Sequence, residues 1–231
     1  MHTIRYLALL TFLLFTKPVM AGTIVGSVRA EGKTPAEDDT AGGKYASRKF
    51  KFAERVNYAE MRDFVVYIDQ PLGSTNVAPG PLVKVTTRRI AQKSAVFLPH
   101  VLPVMVGTTV EWPNEDEIFH NVFSVSDAKP FDLGLYKHPE VKRVTFDKPG
   151  RVDIFCSIHS SMNCIILVLE NPWFASTDPA GAFSIKDIPV GTYKLRAWHE
   201  RLPPQTKDVT VTESGQIKVE FVLGIRNLPQ Y

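Results

Sequence analysis

The sequence predicts an all-β protein, because most of its interpretable segments are short strands separated by turn residues. Thr23 to Arg29 alternates apolar and polar side chains, which indicates a strand with one buried face. Phe64 to Asp69 is almost continuously apolar, which indicates a strand buried on both faces. Glycine and proline mark the turns between such segments, as at Pro149-Gly150. A series of short strands and tight turns is typical of a β-sandwich.

The middle of the chain contains strands that end near histidine and cysteine residues. Val106 to Asn114 contains a turn followed by an alternating strand, and Phe146 to Cys156 contains two strands joined by the Pro149-Gly150 turn. The second of these two strands runs directly into Cys156. Asn163 to Glu170 is predicted to be the next strand. Residues 76–170 are therefore expected to form one sandwich.

The two ends of the chain contain the remaining strands. Ser176 to Ile185 and Ile188 to Ala197 are short strand segments with Gly and Pro turns, and two alternating strands follow them. Neither this half nor residues 22–75 buries a full core alone. We therefore expect residues 22–75 and 171–225 to form a second small β-sandwich, into which residues 76–170 are inserted, since exposed loops tolerate insertion. The alternative is three consecutive units, with residues 22–75 as a separate appendage.

The first 21 residues have the features of a signal peptide. Arg5 precedes an apolar run from Leu7 to Phe15, and Val19-Met20-Ala21 supplies small residues before Gly22. This pattern predicts export and a periplasmic location. The apolar run is too short to cross a bilayer, so no stable membrane span is expected.

The charge of the chain gives no reason to expect a nucleic-acid partner. Residues 1–21 contain two of the 27 basic residues and none of the 24 acidic ones, so their removal lowers the net charge from +3 to +1. A nearly neutral protein has no strong field to attract a phosphate backbone. The hydrophobic fraction of 44% is ample for packed cores.

Two segments together supply the ligands that suit a copper ion. His120 lies at the start of one predicted strand, and Cys156, His159 and Met162 follow one another at intervals of three residues. A site of two histidines and one cysteine, with a weakly bound axial methionine, suits copper in both of its oxidation states. One tight loop places three of these ligands around an ion, and a neighbouring loop brings His120. The sequence therefore predicts one mononuclear copper ion.

These residues and the strands around them resemble the cupredoxins, a family of small blue-copper proteins. The resemblance covers about residues 79–170, and the Cys-x-x-His-x-x-Met loop is similar to that of the amicyanin-like members. It implies a Greek-key β-sandwich and a type 1 copper ion bound by His120, Cys156, His159 and Met162. It also implies that Asn121 is the residue that ties the two ligand loops together.

The C-terminal strands resemble a second family, the carboxypeptidase-regulatory-like domain. Asp178 to Phe183 has the form Asp-x-x-Gly-x-Phe, and Pro189 to Tyr193 has the form Pro-x-Gly-x-Tyr. The same family opens with a strand like Thr23 to Arg29. The resemblance implies a small β-sandwich for the ends of the chain.

The second cysteine leaves two interpretations open. Cys164 lies eight residues after Cys156, and the two form a disulfide if the oxidising compartment favours pairing. Otherwise Cys164 is a buried free thiol and Cys156 stays available as a thiolate. A dinuclear copper centre needs two cysteines four residues apart, which this spacing excludes. Phe155 and Ser157 flank Cys156, so the His-Cys-His arrangement of a multicopper oxidase is also missing.

The site predicts a periplasmic electron carrier rather than an enzyme. We expect no catalytic residues, because no second metal set or pair of nucleophile and base accompanies the copper ligands. The expected partner is a redox protein, either a dehydrogenase or a cytochrome. The alternatives are copper delivery or storage, and an adhesive sandwich with a decayed metal site. The acidic run Glu115 to Glu117 is either a solvated turn or a docking patch for a basic partner.

Overall fold

The computed structural model describes residues 21–32, 57–71, 87–213 and 215–224, and it confirms the all-β prediction. Among the described residues the one helical element is a short 3-10 turn, Tyr58–Glu60, and all other regular elements are strands. The strands are β1 Ala21–Ala30, β2 Val65–Ile68, β3 Arg88–Arg89, β4 Ala91–Lys93, β5 Val96–Leu98, β6 Val101–Met105, β7 Thr108–Pro113, β8 His120–Ser124, β9 Phe131–Tyr136, β10 Val141–Phe146, β11 Gly150–Phe155, β12 Asn163–Leu169, β13 Phe174–Ser176, β14 Ala182–Pro189, β15 Gly191–His199, β16 Leu202–Val211 and β17 Gln216–Leu223.

The middle of the chain forms what we call the central sandwich, strands β3 to β12. One sheet has the order β6-β12-β11-β8-β9 and the other has the order β10-β7-β3, with β4 and β5 as a separate hairpin. Trp112 and Phe146 lie fully buried between the sheets, and Phe97 contacts the Trp112 ring edge to face. The strands β8 and β11 are neighbours in the five-stranded sheet, which places the ends of the two metal-binding segments side by side.

The remaining strands form what we call the flanking sandwich. Its sheets have the orders β14-β1-β17 and β13-β2-β15-β16, so strands from both ends of the chain pair with one another. β1 pairs in parallel with β17 and antiparallel with β14. Their inward side chains share one core; it includes Ile24, Val66, Phe183, Leu195 and Phe221.

The boundaries of the predicted domains stay predictions. The connection at residues 72–86 and the chain after residue 224 lie outside the described residues. So do residues 1–20 of the predicted signal peptide, residues 1–21, whereas its last residue, Ala21, is the first residue of β1. No helix among the described residues is both long enough and apolar enough to cross a membrane.

Strand β2 is continuously apolar because both of its faces are buried. Val66 and Ile68 point into the core of the flanking sandwich, whereas Val65 and Tyr67 point outward and pack against the central sandwich. The opposite side of this contact is the outer face of β12, with Ile165 among its residues. Every residue of β2 is buried, as the sequence predicts. The flanking sandwich therefore rests against the strand that follows Met162.

Candidate metal centre

Three potential metal ligands converge at one end of the central sandwich. One ligand atom from each of His120, Cys156 and His159 lies within 4.8 Å of the other two. Nδ1 of His120 is 3.1 Å from Nδ1 of His159, which in turn is 3.9 Å from Sγ of Cys156. His120 and Cys156 are buried, and His159 is partly exposed.

The ends of two neighbouring strands position these side chains. His120 is the first residue of β8, and Cys156 follows the last residue of β11. The loop after Cys156 is held closed by two backbone hydrogen bonds. The N–H of Cys156 donates to the carbonyl of Met162 at 3.1 Å, and the N–H of Met162 donates to the carbonyl of His159 at 3.0 Å. A loop closed in this way turns His159 back toward Cys156 and His120.

Met162 belongs to the same core as the other candidate ligands. Its side chain is 1% exposed and packs in the hydrophobic cluster that contains Cys156. Burial at this position would suit a thioether ligand shielded from water, and it also suits an ordinary core residue. The assignment of Met162 as a ligand therefore stays a prediction.

The arrangement of the nitrogen atoms fits a bound cation. The carboxylate of Asp116 lies 2.8 Å from Nε2 of His120. A carboxylate accepts hydrogen bonds, so Nε2 carries the hydrogen and Nδ1 of the neutral ring presents a lone pair. Nδ1 of His159 lies 3.1 Å from that lone pair, so it can donate a hydrogen bond to it or, in the other tautomer, present a second lone pair to the same cation. With the Cys156 thiolate, the donor set is the His₂Cys combination that suits copper.

The contact of Asp116 with His120 was not predicted, because the sequence indicated only an acidic run at residues 115–117. The Asp116 carboxylate also accepts hydrogen bonds from the backbone N–H groups of Ser94 at 2.7 Å and Ala95 at 2.9 Å. Burial opposes its ionisation, but the hydrogen bonds from Ala95, Ser94 and His120 outweigh burial and lower the pKa of Asp116. An acidic residue shortly before a candidate histidine ligand was the available signal, because ligating histidines commonly donate to a carboxylate.

The acidic run around Asp116 does not act as one patch. Glu115 forms an ion pair with Arg89, and Asp116 turns inward to His120. Glu117 is exposed, with its carboxylate 3.7 Å from the His138 ring. The two interpretations of this run as a solvated turn or a docking patch therefore apply to Glu117 alone.

Asn121 makes a different contact from the one that the family resemblance implies. Its side-chain amide donates to Asp132 on β9 at 2.7 Å, and its Oδ1 atom is buried without a hydrogen-bond partner. Asp132 also accepts from the N–H of Gly134. The contact joins β8, which contains Asn121, to β9, which contains Asp132. An ionised carboxylate is a stronger acceptor for the amide than a backbone carbonyl. A tie from Asn121 to the loop of residues 156–162 stays a prediction.

The two cysteines are free thiols in the structure, which answers the question of a disulfide between them. Cys164 lies opposite Ile154 in the pairing of β12 with β11, and it points into the core. Burial raises the pKa of the Cys164 thiol well above its ordinary value, so this residue stays protonated and is a poor ligand. Cys156 therefore remains available to the site.

The family comparison corrects the second resemblance. Residues 173–219 match the family described as polysaccharide lyase family 4, domain II, and not the carboxypeptidase-regulatory-like domain. Short strands with Gly and Pro turns occur in many β-sandwich families, so the two turn motifs did not distinguish between them. No curated protein matches the chain.

Solved structures similar to part of the chain are copper proteins. A Cu-containing nitrite reductase from Thermus scotoductus SA-01 is 33% identical over 45% of this chain and 26% of its own, with a TM-score of 0.36. A purple cupredoxin from Nitrosopumilus maritimus is 23% identical over 36% of this chain and 99% of its own, with a TM-score of 0.32. A reduced Cu(I) amicyanin variant at pH 4 is 24% identical over 45% and 98%, with a TM-score of 0.34. This chain thus spans about a quarter of the reductase.

The reductase match corrects the prediction that the chain is not an enzyme. That prediction depended on the lack of a second metal set and of a nucleophile and base pair. Part of this chain is similar to part of an enzyme, so the prediction of a non-enzyme is withdrawn.

Proposed function

We propose that this chain is a mononuclear copper protein that passes single electrons between redox partners. The observation that carries the proposal is the convergence of two imidazole Nδ1 atoms and one thiol sulfur at adjoining strand ends. Export to the periplasm by residues 1–21 belongs to the same proposal. The partner would be a redox protein such as a dehydrogenase or a cytochrome.

The candidate ligands have the burial that electron transfer requires. His120, Cys156 and Met162 are 0%, 6% and 1% exposed, so the protein keeps water away from the ion. Bound copper would supply a one-electron couple between Cu(II) and Cu(I). The strands β8 and β11 hold His120 and Cys156 from one sheet, which limits ligand movement between the two states. The partly exposed His159 is the ligand at the surface, where an electron can enter or leave.

An exposed apolar surface flanks the ligands in sequence and suits a transient partner. We call it the apolar rim and define it as Ile118, Phe119 and Ile158, which are about half exposed. The ammonium of Lys137 lies 5.4 Å from the centre of the Phe119 ring. Apolar side chains can be desolvated at little cost in a short-lived complex, and they bring a partner close to His159.

A pair of substitutions tests this proposal with a matched control. Ile158→Glu places a charge beside His159, and we expect it to slow electron exchange with a redox partner at least tenfold while copper affinity changes little. Val125→Glu places the same charge on the same sandwich. Val125 is 76% exposed and follows the far end of β8, about 15 Å along the strand from His120. This control should exchange electrons at the wild-type rate.

Stopped-flow mixing separates electron transfer from copper delivery. A carrier retains its copper when it is mixed with a competing chelator, and it exchanges electrons rapidly. Loss of the metal within seconds together with slow electron exchange would support delivery or storage instead. Equal rates for the Ile158 and Val125 variants would contradict the role of the apolar rim.

A further inference from the structure

Asp116 contacts His120 directly, and its hydrogen bonds indicate a role for it at the site. We propose that Asp116 is a positioning residue that fixes His120 as an Nδ1 ligand and favours the oxidised copper ion. The inference rests on the proposed function, since it concerns the same metal. It is carried by the 2.8 Å contact between the Asp116 carboxylate and Nε2 of a histidine that is 0% exposed.

The Asp116 carboxylate is held in place without any help from the metal. Ser94 and Ala95 donate their backbone N–H groups to Oδ1 and Oδ2, respectively. Both residues lie in the turn between β4 and β5 and have φ values of +55°, in the left-handed region. Residues other than glycine adopt that region only where their surroundings impose it. The strained turn thus aims two donors at one carboxylate.

Hydrogen bonds of the Asn114 side chain also fix the loop that carries Asp116. The Asn114 side chain accepts a hydrogen bond from the N–H of Asp116 at 2.9 Å. The same side chain donates to the carbonyls of Ile118 and Tyr136, each at 3.0 Å. Asn114 is 1% exposed, so these bonds are shielded from water. Asp116 is therefore placed before a metal arrives, and His120 is oriented against it.

The chemistry of a carboxylate acceptor has two consequences for His120. Its hydrogen stays on Nε2, so Nδ1 remains a free lone pair directed toward His159 and Cys156. The negative charge next to the ring also makes the imidazole a stronger donor to a metal ion. A stronger donor stabilises Cu(II) more than Cu(I), because the ion of higher charge gains more. Removal of this charge should therefore raise the reduction potential.

The test compares Asp116→Asn with Glu115→Gln in the copper-loaded protein. The two substitutions remove the same charge from adjacent positions, but Glu115 pairs with Arg89 and not with the site. We expect a higher reduction potential and a loss of copper affinity of about 10- to 100-fold in the Asp116 variant only. Equal potentials in the two variants would overturn the inference, and they would assign Asp116 to clamping the turn between β4 and β5.

Nitrogen NMR of the wild-type Cu(I) protein provides a second test that needs no variant. We expect an Nε2–H hydrogen on His120 that exchanges slowly with water, and a hydrogen on Nδ1 would overturn the inference. Different results would contradict the proposed function and the role of Asp116. A wild-type protein that binds no copper contradicts the proposed function, whereas a copper protein with an unshifted Asp116→Asn potential contradicts the role of Asp116 alone.

Discussion

The contribution of Met162 can be divided into packing and metal binding by two substitutions. Met162→Leu keeps the side-chain volume and removes the sulfur, whereas Met162→Ala removes both. The side chain is 1% exposed in the core that contains Cys156, so its truncation leaves a cavity. Large-to-small changes from methionine to alanine cost about 2–5 kcal/mol, and leucine in place of methionine costs less than about 1.5 kcal/mol.

The two variants should therefore differ in stability and agree in electrochemistry. We expect Met162→Ala to lower the free energy of unfolding of the metal-free protein by about 2–5 kcal/mol and Met162→Leu to lower it by less than about 1.5 kcal/mol. Both should raise the reduction potential, because the axial sulfur no longer donates to the oxidised ion. Denaturant unfolding measures the first quantity, and a redox titration of the copper protein measures the second.

Copper binding by the Met162 sulfur and packing of the Met162 side chain can be refuted separately. A Met162→Leu potential equal to that of the wild type would show that the sulfur does not bind copper, and Met162 would then be a core residue only. Equal stabilities for the leucine and alanine variants would show that the side chain is not packed as described. Packing and metal binding would not be separable if the reduction potentials of the two variants differed in proportion to their losses of stability, since both variants lack the sulfur.

Three further predictions concern buried groups near and away from the site. Tyr136→Phe should lower the free energy of unfolding by about 1–3 kcal/mol without changing the copper spectrum, because its hydroxyl accepts from Gln92 at 2.6 Å and donates to the carbonyl of Trp112 at 2.9 Å. An unchanged denaturation midpoint would contradict this role. Burial lowers the pKa of His199, so the unfolded chain binds this proton more tightly and stability should fall as the pH drops below about 6.5. His199→Gln should show a weaker loss between about pH 7.5 and 5.5, and an identical pH dependence would refute the assignment. Cys164 should resist thiol reagents in the native protein and react after unfolding, and rapid native labelling would contradict its burial.

Local patterns in the sequence were sufficient for several strands and for the approach of Cys156 and His159. The alternation of Thr23 to Arg29 predicted β1, and the continuous apolar run at Phe64 to Asp69 predicted a strand buried on both faces. The spacing of Cys156 and His159 predicted their approach, because so short a loop has to return the histidine toward the cysteine. These features depend on neighbours in sequence and on side-chain periodicity.

The remaining features depend on contacts between distant parts of the chain. The role of Asp116 requires the turn at Ser94 and Ala95, which lies 22 residues earlier in the chain and has an unusual backbone conformation. The partner of Asn121 depends on an irregular register between β8 and β9 that brings Asp132 within reach. The spacing of Asp116 and His120 was a local signal, but neither the turn that holds the Asp116 carboxylate nor the register that brings Asp132 to Asn121 is encoded in a local pattern.

The visible spectrum of the purified protein with one equivalent of Cu(II) tests the central claim most directly. A copper ion bound by the Cys156 thiolate and the two histidines should give an intense charge-transfer band that colours the protein blue or green. Cys156→Ser should abolish the band and Cys164→Ala should retain it, since the Cys164 thiol is buried and protonated. A colourless protein with a full equivalent of bound copper would contradict the claim.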